Sequence, residues 1–270
     1  MIVVGELINT SRKAIREAVE KRDAGYIQTI AKLQQESGAD YLDINCGTMV
    51  SEEVAAMEWL VNTVQEVTAL PLCIDSPSAE TLEAGLSLVK SSSPLINSIS
   101  AEEKRFASVL PLIKKYQAII VALCIEDAGM PVTAEDRLRI AKNLIARLQE
   151  QGIDQDEIYL DPLIKPISTG DKYGWEVLQS IRLIKDAFPE VHFMCGLSNV
   201  SFSLPNRALI NRLFMVQTMA YGMDGYILDP TNKEMMGALY VSRALVGQDK
   251  YCARYLKEHR KGLYNLNGCG

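Results

Sequence analysis

Met194-Cys195-Gly196-Leu197-Ser198-Asn199-Val200 begins as a short apolar strand and ends abruptly in small and polar residues. Val191 to Cys195 reads as a buried strand, and Gly196 to Asn199 as the turn where backbone and short side chains can meet a ligand. The same ending recurs along the chain. Glu6, Asp43 with Asn45, Asp75, Asn97, Asp161 and Asp229 each sit at or just past the end of an apolar run.

Working outward from this stretch, eight apolar runs predict strands near 2–5, 41–45, 71–75, 94–98, 119–125, 157–161, 191–196 and 225–229. Helical patterns alternate with them. Met57, Leu60, Val61 and Val64 recur at helical spacing, as do Val177, Ile181, Ile184 and Phe188. Ser100 with Glu103 and Thr231 with Glu234 read as capping boxes, and Ser51, Ser78 and Thr133 as simple N-caps. Gly38-Ala39-Asp40, Gly152-Ile153-Asp154 and Gly222-Met223-Asp224 each close a helix and lead into a strand. Pro111 is expected to bend its helix or end it early.

Continuous apolar strands alternating with helices imply a parallel sheet covered on its faces. Eight such units in about 250 residues favour a (β/α)8 TIM barrel of the α/β class over an open doubly wound sheet. The expectation is one domain over 1–270, with the barrel in about 1–246 and a helical extension in about 247–264. In a barrel the strand ends converge on one mouth, so the acids and amides would ring one pocket.

The net charge of −6 and the lack of a basic stripe argue against nucleic acid. Cys46, Cys73, Cys124, Cys195, Cys252 and Cys269 form no Cys-x-x-Cys pair, which suits reduced thiols in a cytoplasmic protein. No signal peptide is evident before Ile2, and no apolar run approaches the roughly 20 residues that span a bilayer.

Asp75, Asn97, Asp161 and Asn199 make a predicted mouth rich in carboxylates and carboxamides but poor in Lys, Arg and His. Such planar groups suit a fused heterocycle with an amino-pyrimidinone edge, because each can make two coplanar hydrogen bonds. A phosphate cradle is at best hinted at by Gly196. His192 and His259 have no partner at metal-ligand spacing, no Ser or Cys has an identifiable His base, and no glycine-rich nucleotide loop appears.

Several stretches then match a known family in order over nearly the whole chain. They are Gly5-Glu6-Leu7-Ile8-Asn9, Leu42-Asp43-Ile44-Asn45, Ala56-Met57-Glu58-Trp59-Leu60-Val61, Cys73-Ile74-Asp75-Ser76, Ile96-Asn97-Ser98, Leu160-Asp161-Pro162-Leu163, Gly196 to Ser201, and Asn206 to Arg212. The chain resembles the pterin-binding methyltransferases, and most closely those that act between methyltetrahydrofolate and a corrinoid protein. That group includes the corrinoid iron–sulfur protein methyltransferase and the tetrahydrofolate-methylating component of O-demethylase systems.

The resemblance implies a homodimeric TIM barrel that binds tetrahydrofolate or 5-methyltetrahydrofolate as substrate, while a separate corrinoid protein carries the cobalamin and docks over the mouth. No metal bound by this chain is implied. Asp75, Asn97 and Asp161 would hold the pterin edge, with Gly196, Ser198 and Arg207 as further contacts. Asn199 would be catalytic, beside the nitrogen that bears the methyl group. Transfer would be a reversible direct displacement, with cob(I)alamin on the partner attacking the methyl carbon as the pterin nitrogen leaves.

Other readings stand beside these roles. Asp43 and Asp229 could be turn formers, and Glu6, Asn9, Asp43 and Asn45 supports behind the ligand contacts. Arg207 could make a structural ion pair. Phe214, Met215 and Met219 read as the core face of a helix, and the basic segment Lys250 to Lys261 as a solvated face. His259-Arg260-Lys261-Gly262 is a chance echo of a cobalt-ligating loop. Dihydropteroate synthases share the fold but place an Arg-x-His pair after the last strand, where this chain has Asp229-Pro230. Two alternatives to methyl transfer are therefore a dihydropteroate-synthase-like condensation and a non-catalytic folate-binding barrel.

Overall fold

A computed structural model describes residues 1–264, so the predicted thiol Cys269 lies outside the described residues. Eight parallel strands close into a barrel in chain order, each pairing with the next and the last with the first. They are β1 (Ile2–Gly5), β2 (Tyr41–Asn45), β3 (Leu72–Asp75), β4 (Leu95–Ser100), β5 (Ile119–Leu123), β6 (Ile158–Asp161), β7 (His192–Gly196) and β8 (Gly225–Leu228). The α/β barrel is thus as expected. The strand limits differ from the sequence reading by no more than two residues.

The connection from β1 to β2 holds two helices, α1 (Lys13–Glu20) and α2 (Ala24–Glu36), where periodicity suggested one. The break has a local cause. Arg22 takes a left-handed φ of 53°, and the Asp23 carboxylate accepts from Tyr26 N at 3.1 Å to start the second helix. Around the barrel follow α3 (Glu53–Gln65), α4 (Ala79–Leu88), α5 (Glu103–Tyr116), α6 (Ala134–Glu150), α7 (Tyr173–Ala187), α8 (Arg207–Ala220) and α9 (Lys233–Leu245).

Helix starts were only partly legible. Ser78 caps α4 as expected, and Thr133 does more than expected, forming a full box with Asp136. Neither box predicted at Ser100 or Thr231 forms. Ser100 instead donates to Glu102, Asp127 accepts from Glu103 N, and Asn232 caps α9 through Met235 N. Ser51 is not a cap either, because α3 begins after Glu52 with no side-chain cap. Pro111 lies inside α5, which runs on to Tyr116 rather than ending early.

Strand parity divides the barrel into two apolar shells. Val4, Tyr41, Cys73, Leu95, Val121, Tyr159 and Met194 cluster together with Ile227 inside the barrel. Their sequence neighbours, among them Val3, Leu42, Ile74, Ile96, Ile120, Leu160, Phe193 and Leu228, pack outward with the helices. Phe214, Met215 and Met219 join that outer shell. After α9, α10 (Ala253–Arg260) is tied to the barrel by Arg254, which donates to Tyr240 Oη at 3.0 Å and pairs with Glu258. Lys261 also pairs with Glu258, so part of the basic segment is neutralised within its own helix. Among the described residues no helix is long and apolar enough to cross a membrane.

Candidate active site

The predicted site residues at the strand ends lie two or four positions beyond an interior apolar residue of their own strand, while Asn9, Ser198, Asn199 and Arg207 lie in the segments that follow. Tyr41 leads to Asp43 and then Asn45, Cys73 to Asp75, Leu95 to Asn97, Tyr159 to Asp161 and Met194 to Gly196, with Glu6 and Asp229 in the same phase after Val4 and Ile227. Side chains alternate across a strand with period two, so these groups share the interior face at the C-terminal end of the barrel. Strand β5 departs from the pattern, carrying Leu123 at that position.

On one side of this end, Asn45, Asp75 and Asn97 stand in register across three neighbouring strands. Asn45 Nδ2 donates to Asp75 Oδ2 at 2.7 Å, which orients the carboxylate. Burial pushes Asp75 up to about 6, against the Asn45 hydrogen bond and the pull of Arg105. Asp43 is fully enclosed beneath it, and its Oδ1 has no hydrogen-bond partner. Burial and then the Asp75 charge raise its carboxyl well above the usual range. Asn9 bridges to Asn45 through the backbone, and its Oδ1 accepts from Ser11 N.

Across the mouth, Asp161 Oδ1 accepts from Leu163 N at 2.7 Å, and burial again raises the carboxyl to about 6. The backbone of Gly196 reaches the same carboxylate, which links β6 to β7. Gly196 opens a 3-10 turn, Leu197–Ser201, that carries the exposed Asn199. A Cβ on Gly196 would lie 3.9 Å from Asn199 Nδ2, so the carboxamide folds back over the strand end. Arg207 holds this turn, donating to Ser198 O at 2.7 Å and Ser201 Oγ at 3.1 Å. Beside it a cavity of about 240 Å³ opens between β7, β8 and β1, bordered by Glu6, Ser198, Arg207 and Asp229. Glu6 pairs with Arg12, and burial raises its carboxyl.

The pterin binding enzyme family matches residues 5–229. A methylcorrinoid:tetrahydrofolate methyltransferase of Eubacterium limosum is 35% identical over 264 residues, covering 97% of both chains. The chain belongs to the pterin-binding enzyme family. It is an enzyme of the methyltransferase class. A methionine synthase of Mycobacterium tuberculosis is 32% identical over 84% of this chain, which spans 20% of that larger protein. Among solved structures, dihydropteroate synthases of Yersinia pestis and Xanthomonas albilineans align with TM-scores of 0.70 and 0.64 over 90% of the chain, at 14% and 18% identity. These two show a shared fold.

Two residues of this pterin-binding enzyme that shape the mouth escaped the sequence reading. Arg105, on α5, donates to Ser98 O and Ser76 O at 2.8 Å each and also to Pro77 O, tying the loop after β3 to the end of β4. Arg137, fully buried on α6, donates to Pro162 O at 2.6 Å and Leu163 O at 3.1 Å just past Asp161. With Arg207, three guanidiniums clamp the end of β4 and the loops that follow β3, β6 and β7. A fork of donors suits this task because it can satisfy several otherwise orphaned carbonyls at once. A single Arg within a helical pattern carries no signal of such a role. Among the described residues no group of three or more His, Cys, Asp or Glu is placed to hold a metal ion.

Proposed function

We propose that this enzyme moves a methyl group, reversibly, between N5 of tetrahydrofolate and the corrinoid of a separate carrier protein. The observation that carries the reading is the convergence of Asp75, Asn97 and Asp161 on one interior face, with the Asn199 carboxamide turned back over the end of β7. The kinship with a tetrahydrofolate-dependent methyltransferase over the whole chain supports it.

In this proposal Asp75, Asn97 and Asp161 bind the amino-pyrimidinone edge of the pterin, and Gly196, Ser198 and Arg207 frame its other side. Asn45, Asn9, Glu6 and Asp43 hold or enclose these groups rather than touching the ring. The partner's corrinoid supplies or accepts the methyl group. Asn199 donates a hydrogen bond to N5 that strengthens as charge develops there, in either direction of transfer. Orientation of the bound ring contributes the rest, since a methyl amine reacts only along one line of approach.

The carrier protein would dock on the mouth, where Val50, Met130, Val132 and Phe202 project exposed apolar side chains from three different loops. A homodimer would form through the groove between α7 and α8, where Trp175 and Leu213 are about half exposed beside Leu178, Ile210 and Phe214. Sedimentation of the wild type and of Leu213→Glu tests that contact, the variant being expected as a monomer. The buried thiols accord with work in the cytoplasm.

The deciding experiment follows the corrinoid spectrum when cob(I)alamin, free or on candidate carrier proteins, is mixed with methyltetrahydrofolate. Conversion to methylcobalamin is expected. Condensation of a pterin pyrophosphate with p-aminobenzoate, without any methyl transfer, would replace this reading by the synthase one. That alternative is disfavoured by Asp229, whose Oδ1 accepts from both Thr231 N and Thr231 Oγ1 where the synthases carry a basic pair.

A further inference from the structure

Each hydrogen bond that the fully buried Arg137 makes to the described residues ends on a backbone carbonyl. Nε donates to Pro162 O at 2.6 Å, Nη1 to Val132 O and Thr133 O at 3.0 Å each, and Nη2 to Leu163 O at 3.1 Å. A buried guanidinium costs much free energy to desolvate, which is a high cost for closing a loop alone. At the far end of these bonds Leu163 has a left-handed φ of 57°, and among the described left-handed residues other than glycine it alone carries an aliphatic side chain. Such a side chain cannot bond its own backbone to offset the strain, so the conformation is imposed by its surroundings. Pro162 O and Leu163 O lie on either side of the Leu163 Cα, and by gripping both Arg137 fixes φ and ψ of that residue. The turn so held aims Leu163 N at Asp161 Oδ1, 2.7 Å away. Burial raises the Asp161 carboxyl, and the strongest influences against it are the Leu163 N–H and then the charge of Arg137.

We propose that Arg137 is a positioning residue for folate: by holding Leu163 left-handed, it fixes the Asp161 carboxylate in the plane that meets the amino-pyrimidinone edge of the pterin. The N–H groups of that edge are coplanar, so a tilted carboxylate loses alignment with both at once. Arg137 acts at one remove, since its guanidinium is closed off from the mouth and reaches the ring only through Leu163 and Asp161. Lysine is no substitute here, because a single ammonium on a flexible stem lacks the planar fork that spans both carbonyls. The inference rests on the reading of Asp161 as a pterin contact, and its test separates the two.

Isothermal titration of the full chain with methyltetrahydrofolate, arranged as a double-mutant cycle, provides the test. Arg137→Lys is expected to raise the dissociation constant at least tenfold, and in steady-state assays to raise folate KM more than it lowers kcat. In an Asp161→Ala background the same change should cost less than a further twofold, because the group it acts through is gone. Additive losses in the cycle overturn the positioning role. So does an Arg137→Lys protein that melts earlier yet binds folate within twofold of the wild type, for that is the behaviour of a loop clamp only. Where Arg137→Lys does not fold, Leu163 carries the test. Leu163→Ile keeps the apolar bulk but its branched Cβ resists the left-handed conformation, and it is expected to weaken folate binding at least fivefold. Leu163→Gly adopts that conformation freely and should weaken binding less, and the reverse order overturns the proposal. Because the readout is binding, a wild type that binds folate but transfers no methyl group to cob(I)alamin faults the catalytic reading, while the cycle still decides the role of Arg137.

Discussion

Aspartates guard both ends of this barrel, and they are treated in opposite ways. At the N-terminal end Asp40 Oδ2 accepts from Val3 N at 2.8 Å, and Asp224 accepts from Phe193 N at 2.8 Å and contacts His192 Nδ1 at 2.6 Å. These contacts hold the Asp224 carboxyl below its ordinary value despite burial. At the C-terminal end Asp75 and Asp161 also accept from the protein, through Asn45 Nδ2 and Leu163 N, yet burial outweighs these bonds and lifts both to about 6. The first set ties neighbouring strands together, whereas in the second the cost of burial outweighs the hydrogen bonds and disfavours the charged form. Acids raised by burial at a barrel's C-terminal mouth mark a binding end, and acids lowered by their partners at the opposite end mark a stabilising one.

The contrast can be broken most severely at Asn199. Asn199→Ala is expected to lower the methyl-transfer rate by about 10²–10³-fold while folate affinity drops only a few-fold, because the hydrogen bond matters most as charge develops. Single-turnover kinetics beside a folate titration checks this, and an unchanged rate would favour the non-catalytic barrel. Next in size is Asp161→Asn, expected to weaken folate binding by about 10–100-fold, the loss of roughly 1.5–3 kcal/mol from a charged hydrogen bond. The same variant should not destabilise the unliganded protein at pH 7, since it removes a carboxylate held in an unfavourable place. Thermal melts with and without folate would show both effects.

At the opposite end Asp224→Asn should cost about 1–2 kcal/mol of stability and leave kcat unaltered. The signs of the pH dependences also oppose one another. The folded-state value for Asp224 is depressed, so its stabilisation is present above the unfolded carboxylate range and disappears as pH falls through the folded value; Asp224→Asn should flatten that acid limb. Asp75 and Asp161 are raised, so the folded state holds extra protons between about pH 4 and 6, and their contribution to stability falls as pH rises through that window. The smallest predicted effect follows from this. Folate affinity should strengthen about two- to fourfold between pH 6 and 8 as these carboxylates ionise, and a flat titration would show that the ring binds the neutral acids equally well.

The residues differ in how far they can be read without coordinates. Asp75, Asn97 and Asp161 were legible because each ends a short apolar run, and period-two alternation carries a strand-end residue to the same face as the residue two before it. Helix caps were less legible. Ser100, Thr231 and Ser51 each had the chemistry of an N-cap, yet their helices begin one or two residues later; a distant Asp127 serves α5, Asn232 caps α9, and α3 has no side-chain cap. Arg105 and Arg137 were invisible, because the carbonyls they clamp lie more than 20 residues away for Ser76 and Pro162.

The amino-acid order alone determined the alternation of strands and helices, the barrel class and the chemical character of the strand ends, since these depend on local periodicity and on where apolar runs stop. Closure of the sheet decided the remainder. It set Asn45 against Asp75, enclosed Asp43 so that burial raises its carboxyl, folded Asn199 over Gly196 and left Asn211 Oδ1 without a hydrogen bond. Burial and the pairing of groups far apart in the chain arise only when the strands come together, and those two quantities turn a row of acids and amides into a site.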